Sequence, residues 1–281
     1  MHFKSYSTLL LAALLIVACQ NTSATKKPKP QKEHQEKTQQ AIVNPADTVT
    51  LIKGSDSILI SKKKVIDKWD KEWSVIHYEF FNENKSLGNW QRAINTFIRK
   101  SLYQPEEAKA YSEPLSKELI RKVLHAFKVE ARRYEDDMSM TWNIYESYDI
   151  VDVYKKFATL KIESSLYTGG AHGMYGVGYY HFDKTSGKQL HIKDMLDIKK
   201  ELLRQAELVF RKKVGLKANT PFEENDFWFN EGFYLSDNFE ITKKGITFYY
   251  NPYEISSWAA GMIDFSLTTA QISPYLKVKI D

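Results

Sequence analysis

Residues 71–81 alternate between two faces, with Trp73, Val75, His77 and Glu79 on one and Ser74, Ile76, Tyr78 and Phe80 on the other. That is the period of a half-buried strand. From Asn89 the period lengthens: Trp90, Ile94, Phe97, Ile98 and Leu102 fall on one stripe, which predicts a helix with Asn89 as its N-cap. A second helix is predicted from Pro114 to Ala131, with Leu115, Leu119, Val123 and Phe127 as its apolar stripe. FATLKIESSL (157–166) returns to alternation, Val177–Phe182 is strand-like, and DKTSGKQLHI reads as a hairpin turn with Gly187 left-handed. Asp194 then opens a third helix whose stripe is Ile198, Leu202, Ala206, Val209, Phe210 and Val214, ended by Gly215. FYLSDNFEITKKGITFYYNP gives strand, glycine turn, strand; YEISSWAAG is a loop, MIDFSLT a strand and TAQISPYL a short terminal turn or helix. Upstream, Thr48–Ile60 is patterned as a hairpin about Gly54-Ser55-Asp56.

Strands joined by short turns imply antiparallel pairing, and the helices come in blocks. The expected fold is therefore α+β: antiparallel sheet or sheets with helices packed on one face, in two successive α+β units at 48–150 and 151–281. Residues 155–281 are expected to form one sheet with the Asp194 helix on it.

The chain start changes the setting. Residues 1–18 carry a short basic beginning and an apolar run from Thr8 to Ala18, too short for a bilayer-spanning helix and of the length of a secretory h-region. Ile16-Val17-Ala18-Cys19 follows the pattern of a lipoprotein cleavage site, and Cys19 is the single cysteine of the 281 residues. Residues 1–18 are thus expected to be a lipoprotein signal peptide and Cys19 the lipidated residue (diacylglycerol, with an acyl group such as palmitate), anchoring the protein to a membrane. With no second cysteine, the exported part must fold on its core alone, without disulfides; roughly 230 residues suffice for one or two domains. Residues 19–47 read as a disordered tether, free of aromatics and rich in Lys, Gln, Thr and Pro. Residues 20–44 hold five lysines and two glutamates, so with these and Lys4 set aside the net charge of +5 falls to +1 from Pro45 onward. A near-neutral folded part argues against nucleic-acid binding.

The candidate chemistry lies in two clusters. SSLYTGGAHGMYGVGYYHFD (164–183) packs five glycines and five aromatic residues around His172. Gly169, Gly170 and Gly173 allow sharp turning beside bulky rings, and Gly176 and Gly178 leave one strand face bare for close approach. Without a Gly-Lys-Ser/Thr ending it is no phosphate cradle. As a catalytic base His172 would need a carboxylate such as Glu163, Asp183 or Glu254; as a metal ligand it would need His181, His191 or Asp183, at spacings that match no zinc motif. The reading preferred from the residues is a buried histidine held by backbone groups against Tyr167 or Tyr175. In the second cluster, FYYNPYEI (248–255), Asn251-Pro252 breaks a strand and Glu254 follows among rings, where a carboxylate either has a raised pKa or clamps backbone N–H groups. Trp258 is core or an exposed stacking ring. The residues taken as a binding site are Tyr167, Gly169, Gly170, His172, Tyr175, Tyr253, Glu254 and Trp258, with Gly169–Gly173 lying near Tyr249–Trp258. No metal, cofactor or catalytic residue is assigned.

In order and spacing, YTGGAHG…YYHFDKTSGKQLHIKDML and FYLSDNFEITKKGITFYYNPYEISSWAAGMIDFSL resemble the extracytoplasmic domain of unknown function of the RsiV/PdaC type, from about residue 155 to the end. Residues 65–150 resemble, more weakly, the partner domain that precedes it. The resemblance implies an α+β domain without established catalysis, one that in RsiV binds lysozyme as a signal. Unlike those proteins, this chain is expected to hold no sigma factor and to carry no deacetylase domain. The expectation is a lipid-anchored envelope module, at the outer membrane or cell surface rather than the inner membrane. It would bind a lysozyme-like protein or peptidoglycan. The alternatives are an envelope hydrolase using His172 and Glu254, or a purely structural lipoprotein.

Overall fold

The computed structural model describes residues 49–53, 56–69, 72–104, 111–133 and 142–280. The expected signal peptide, Cys19, the expected tether and the turn at 54–55 lie outside the described residues. Among the described residues, ten strands and five helices make an α+β fold: β1 (Val49–Lys53), β2 (Asp56–Trp69), β3 (Glu72–Phe81), α1 (Asn89–Ser101), α2 (Lys117–Arg132), β4 (Asn143–Val153), β5 (Phe157–Tyr167), β6 (Met174–Asp183), β7 (Gln189–Leu190), α3 (Ile192–Met195), α4 (Lys200–Lys213), β8 (Phe239–Thr242), β9 (Gly245–Tyr250), β10 (Ile263–Thr268) and α5 (Thr269–Ile272). No described helix is long and apolar enough to cross a membrane.

Strands β1 to β7 form one sheet in chain order, and β8 to β10 a second, three-stranded sheet in the order β10-β9-β8. Residues 155–281 therefore do not share one sheet, as their strand pattern implied: β5–β7 belong to the first and β8–β10 to the second. Every pairing is antiparallel except β3–β4, which run parallel from Val75↔Tyr145 to Tyr78↔Tyr148. The two helices α1 and α2 intervene between those strands, and only a crossover of that length can return a chain parallel to itself. Residue 150, where the sequence suggested a division, lies inside β4.

Helices α1 and α2 bury their stripes in a common core. Trp90, Ile94 and Ile98 of α1 and Leu119, Val123 and Phe127 of α2 pack in one cluster with Ile76, Tyr78 and Phe80 of β3, Tyr148 and Ile150 of β4, and Leu160 and Ile162 of β5. The N-cap of α1 is Gly88, not Asn89; the Gly88 N–H donates to Gln91 Oε1 at 2.7 Å, and the Asn89 amide instead donates to Thr185 O at 2.8 Å. Helix α2 starts later than its pattern suggested, with Ser116 Oγ accepting from Leu119 N–H at 3.1 Å. A second core gathers α4 and the small sheet around Phe210, whose ring lies 5.3–6.0 Å from those of Phe222, Phe227, Phe229, Phe233, Tyr250 and Phe265.

The predicted third helix is interrupted. Leu196 to Lys199 leave the helix between α3 and α4, because the C-terminal segment pairs with them: Asp197 N–H donates to Tyr275 O at 2.8 Å and Lys277 N–H to Met195 O at 2.9 Å. Ile198, assigned to the apolar stripe, is accordingly 40% exposed.

Two carboxylates are buried on β3 and β4. Glu79 Oε2 accepts the Ile150 N–H at 2.9 Å, just past Tyr78↔Tyr148, where the β3–β4 pairing ends. Glu146 accepts the Tyr148 hydroxyl at 2.9 Å, and burial pushes its pKa up to about 7 against an ordinary 4.5. The folded state then binds a proton that the unfolded chain releases, so this group costs nothing below pH 4.5 and its full penalty above pH 7. Glu146→Gln should therefore stabilise the protein at pH 8 relative to wild type, by up to about 3 kcal/mol, with the difference vanishing near pH 4.5. Urea unfolding at several pH values measures this; an unchanged difference across the range would contradict it.

Candidate functional site

The glycine spacing of β6 is explained by what covers it. A Cβ on Gly178 would lie 2.7 Å from the Tyr180 ring, and one on Gly176 would lie 3.0 Å from the Asn251 side chain. The bare face thus admits a ring and an amide.

The amide is part of a second device. Beyond its short pairing with β7 at His181 and Phe182, the outer edge of β6 pairs with no other strand among the described residues. Two asparagines take that place. Asn251 Oδ1 accepts the Val177 N–H at 2.9 Å and its Nδ2 donates to Val177 O at 3.0 Å. Asn238 Oδ1 accepts the Tyr179 N–H at 2.9 Å and its Nδ2 donates to Val177 O at 2.7 Å. Asn238 immediately precedes β8 and Asn251 immediately follows β9, so the open end of that hairpin grips the edge of the large sheet. His181 extends the seam. Its Nε2 bonds Phe239 O at 2.9 Å and must carry the proton, since a carbonyl only accepts; Nδ1 then accepts from Thr159 Oγ1 at 3.0 Å. Burial lowers the His181 pKa to about 4.

On this seam stand the two loops. Gly169 and Gly170, at φ 97° and 90°, turn the chain between β5 and β6, and the Tyr167 hydroxyl closes the turn on Gly170 O at 3.1 Å. Gly173 O then receives two donors, Trp258 Nε1–H at 3.0 Å and His172 Nδ1–H at 3.1 Å. The His172 ring stacks on Trp258 with centroids 4.0 Å apart and planes 16° from parallel. His172 Nε2, left as the acceptor, faces the Tyr253 hydroxyl at 3.4 Å. Tyr175 meets Trp258 edge-on, with centroids 6.4 Å apart.

The structure thus brings His172, Tyr175, Tyr253 and Trp258 together, with Tyr167, Gly169 and Gly170 forming the adjoining turn. His172 departs from the expectation in two respects: it is half-buried rather than buried, and its ring partner is Trp258, because the Trp258 Nε1–H and the His172 Nδ1–H converge on one carbonyl. Glu254 points into its own loop. Its Oε2 accepts the Asn251 N–H at 3.0 Å while its N–H donates to Asn251 O at 3.0 Å. Burial raises its pKa, partly offset by those N–H contacts. The other carboxylates considered for His172 are engaged elsewhere: Glu163 pairs with Lys161, and Asp183 holds the N–H groups of Thr185 and Ser186. Among the described residues no cluster of three His, Cys, Asp or Glu side chains could hold a metal ion.

Two further groups were not singled out from the sequence. Asn238 reads locally as a turn residue, and only its mirrored position to Asn251 across the hairpin hints at a shared role. Asp237 takes the Ile192 N–H at 2.7 Å and pairs with His191 Nδ1, fixing the start of α3.

Residues 192–270 match the model of DUF3298, a family described as of unknown function. That stretch contains the Asn238 and Asn251 hairpin and the Tyr253–Trp258 loop. Two crystal structures share the fold. One, a DUF3298 family member from Bacteroides fragilis NCTC 9343, is 18% identical, with a TM-score of 0.61 over 78% of this chain and 93% of its own. The other, a DUF3298 family protein from Pseudomonas aeruginosa PAO1, is 17% identical, with a TM-score of 0.52 over 83% of this chain and 95% of its own. No curated protein matches the chain.

Asn238→Ala strips partners from the Tyr179 N–H and one of two from Val177 O, at about 1–3 kcal/mol for each buried group left unpaired. With Val177 O still held by Asn251, we expect a loss of about 1–3 kcal/mol in urea unfolding; a loss under about 0.5 kcal/mol would show that the seam is not held this way. For His181 the sign is that of a depressed base. Its contribution is present above pH 6.5 and is lost as pH falls toward 4. Unfolding in the Glu146→Gln background, where the opposing carboxylate is removed, should show stability declining across that window.

Proposed function

We propose that this chain is a lipid-anchored, extracytoplasmic binding module that works by recognition rather than by catalysis. The observation that supports this most is the state of its one conspicuous histidine. His172 is clamped between Gly173 O and the Trp258 face, and its remaining nitrogen meets a tyrosine hydroxyl. A general base needs a partner that orients it and a proton to take from a reacting group; here the ring serves to position neighbouring aromatic side chains. No hydrogen bond among the described residues joins His172 to Glu254, so the hydrolase reading lacks its dyad.

The ligand is a lysozyme-like protein or a cell-wall component. The first follows from the RsiV/PdaC-type resemblance of the two loop motifs, the second from a site at the envelope surface. Anchoring falls to Cys19, with residues 19–47 as the spacer and the outer membrane or cell surface as the location.

Two measurements test this. Cys19→Ser should leave an uncleaved or soluble protein that no longer partitions into the detergent phase; unchanged partitioning would remove the lipid anchor from the account. The detergent-solubilised chain should bind lysozyme or sonicated peptidoglycan in a sedimentation or calorimetric titration. Failure with both, together with turnover of an envelope substrate that His172→Asn abolishes, would favour the enzyme.

A further inference from the structure

Tyr253 has φ 70°, in the left-handed region that glycine and asparagine occupy readily and bulky residues avoid. Burial does not compensate, for Tyr253 is 44% exposed. The conformation persists because the surrounding loop over-determines it: Pro252 precedes it, and Asn251 and Glu254 bond one another on either side. Strain of this kind clusters at active sites and ligand clamps, where the surrounding structure holds it in place.

The rings beside it are fixed as well. Trp258 is tied by its Nε1–H and stacked on His172, and Tyr175, 41% exposed, stands edge-on to Trp258. Gly261 leaves the Tyr175 hydroxyl room, since a Cβ there would come within 3.3 Å of it. Trp228, 43% exposed, lies on a neighbouring acidic segment (Asp226, Glu231), bonds Ile255 O through its N–H at 2.8 Å, and is not part of the cluster. Charge is almost absent. Across residues 167–176 and 251–262 no Asp, Lys or Arg occurs; His172 and Glu254 are the sole members of the His, Asp, Glu, Lys and Arg set, and Glu254 is turned into its loop.

We propose that this cluster is a subsite for a neutral polysaccharide chain. A pyranose ring offers a flat face of C–H groups edged by hydroxyls. Fixed aromatic rings edged by hydroxyl and imidazole groups match both parts, the ring faces through weak C–H contacts and the rims through hydrogen bonds. Within these two loops a strongly charged protein partner would find only His172 and the inturned Glu254 to pair with, and charge complementarity is what steers and orders such an interface. Rings locked before binding also lose little side-chain freedom when a weak, repetitive ligand arrives. The proposal rests on the binding-module reading and narrows its ligand to carbohydrate.

The test titrates the detergent-solubilised full chain with chitohexaose and, separately, cellohexaose, following tryptophan fluorescence and calorimetric heat. Wild type should bind at least one of the two saturably. Tyr253→Gly should weaken that binding at least tenfold while its thermal midpoint stays level or rises, because glycine relieves the backbone. Leu208→Ser, on the exposed face of α4, should leave affinity unchanged. Loss of binding with a raised midpoint supports the proposal, since a purely structural role for Tyr253 would lower the midpoint instead. Tyr253→Gly binding as tightly as wild type overturns it. If wild type binds neither oligosaccharide but binds lysozyme, the carbohydrate proposal falls and the binding module stands. If it binds neither saccharide, lysozyme nor sonicated peptidoglycan, both fall.

Discussion

The edge of β6 is the constraint on which the rest of the architecture depends. A strand left open along one side offers N–H and C=O groups that must be paired, covered or left to other chains. Here two amide side chains supply what a neighbouring strand would have supplied, and both come from the ends of one hairpin. Amides suit the task because each carries a donor and an acceptor, as a peptide unit does. Val177 O accepts from both asparagines. The same four bonds satisfy the large sheet, seat the small sheet against it and bring the loop after β9 beside the loop before β6.

The site follows from that seating. Once Asn251 is fixed on Val177, the chain must turn away at Pro252, and Tyr253 is driven into the left-handed region. Trp258 then reaches Gly173 O and the face of His172. Trp258 and His172 are held by bonds to Gly173 O, and Tyr253 and Tyr175 by contacts with those two rings, so local strain at Tyr253 is balanced by order elsewhere. The two buried titrating groups pull in opposite directions with pH. Glu146 sits within the α1–α2 core and His181 on the seam, which lets the contributions of the two regions be told apart.

Much of the fold was legible because it is locally encoded. The alternation in residues 157–166, the glycine at 187 and the strand–turn–strand pattern of 239–250 specify hairpins whose partners are close in sequence. What escaped depends on distant chain. The break between α3 and α4 is imposed by Tyr275 and Lys277, some 80 residues downstream of the break, and no periodicity in 194–214 records it. The parallel β3–β4 pairing and the split into two sheets likewise lie in the topology rather than in any strand's own pattern. At the site, the aromatic and glycine content of 164–183 announced close packing, and the meeting of that stretch with Tyr253 and Trp258 was foreseeable from composition. The role of Asn238 was not, since an asparagine before a strand is indistinguishable from a turn residue until its partner strand is known.

The claim that side-chain amides close the β6 edge is tested most directly by native-state hydrogen exchange at two amides, Val177 and Tyr179. Both should exchange as slowly as the amides of Leu160 and Ile162 in the middle of the same sheet, through global unfolding. Rapid exchange at these two positions, at the rate of an open strand edge, would contradict the account.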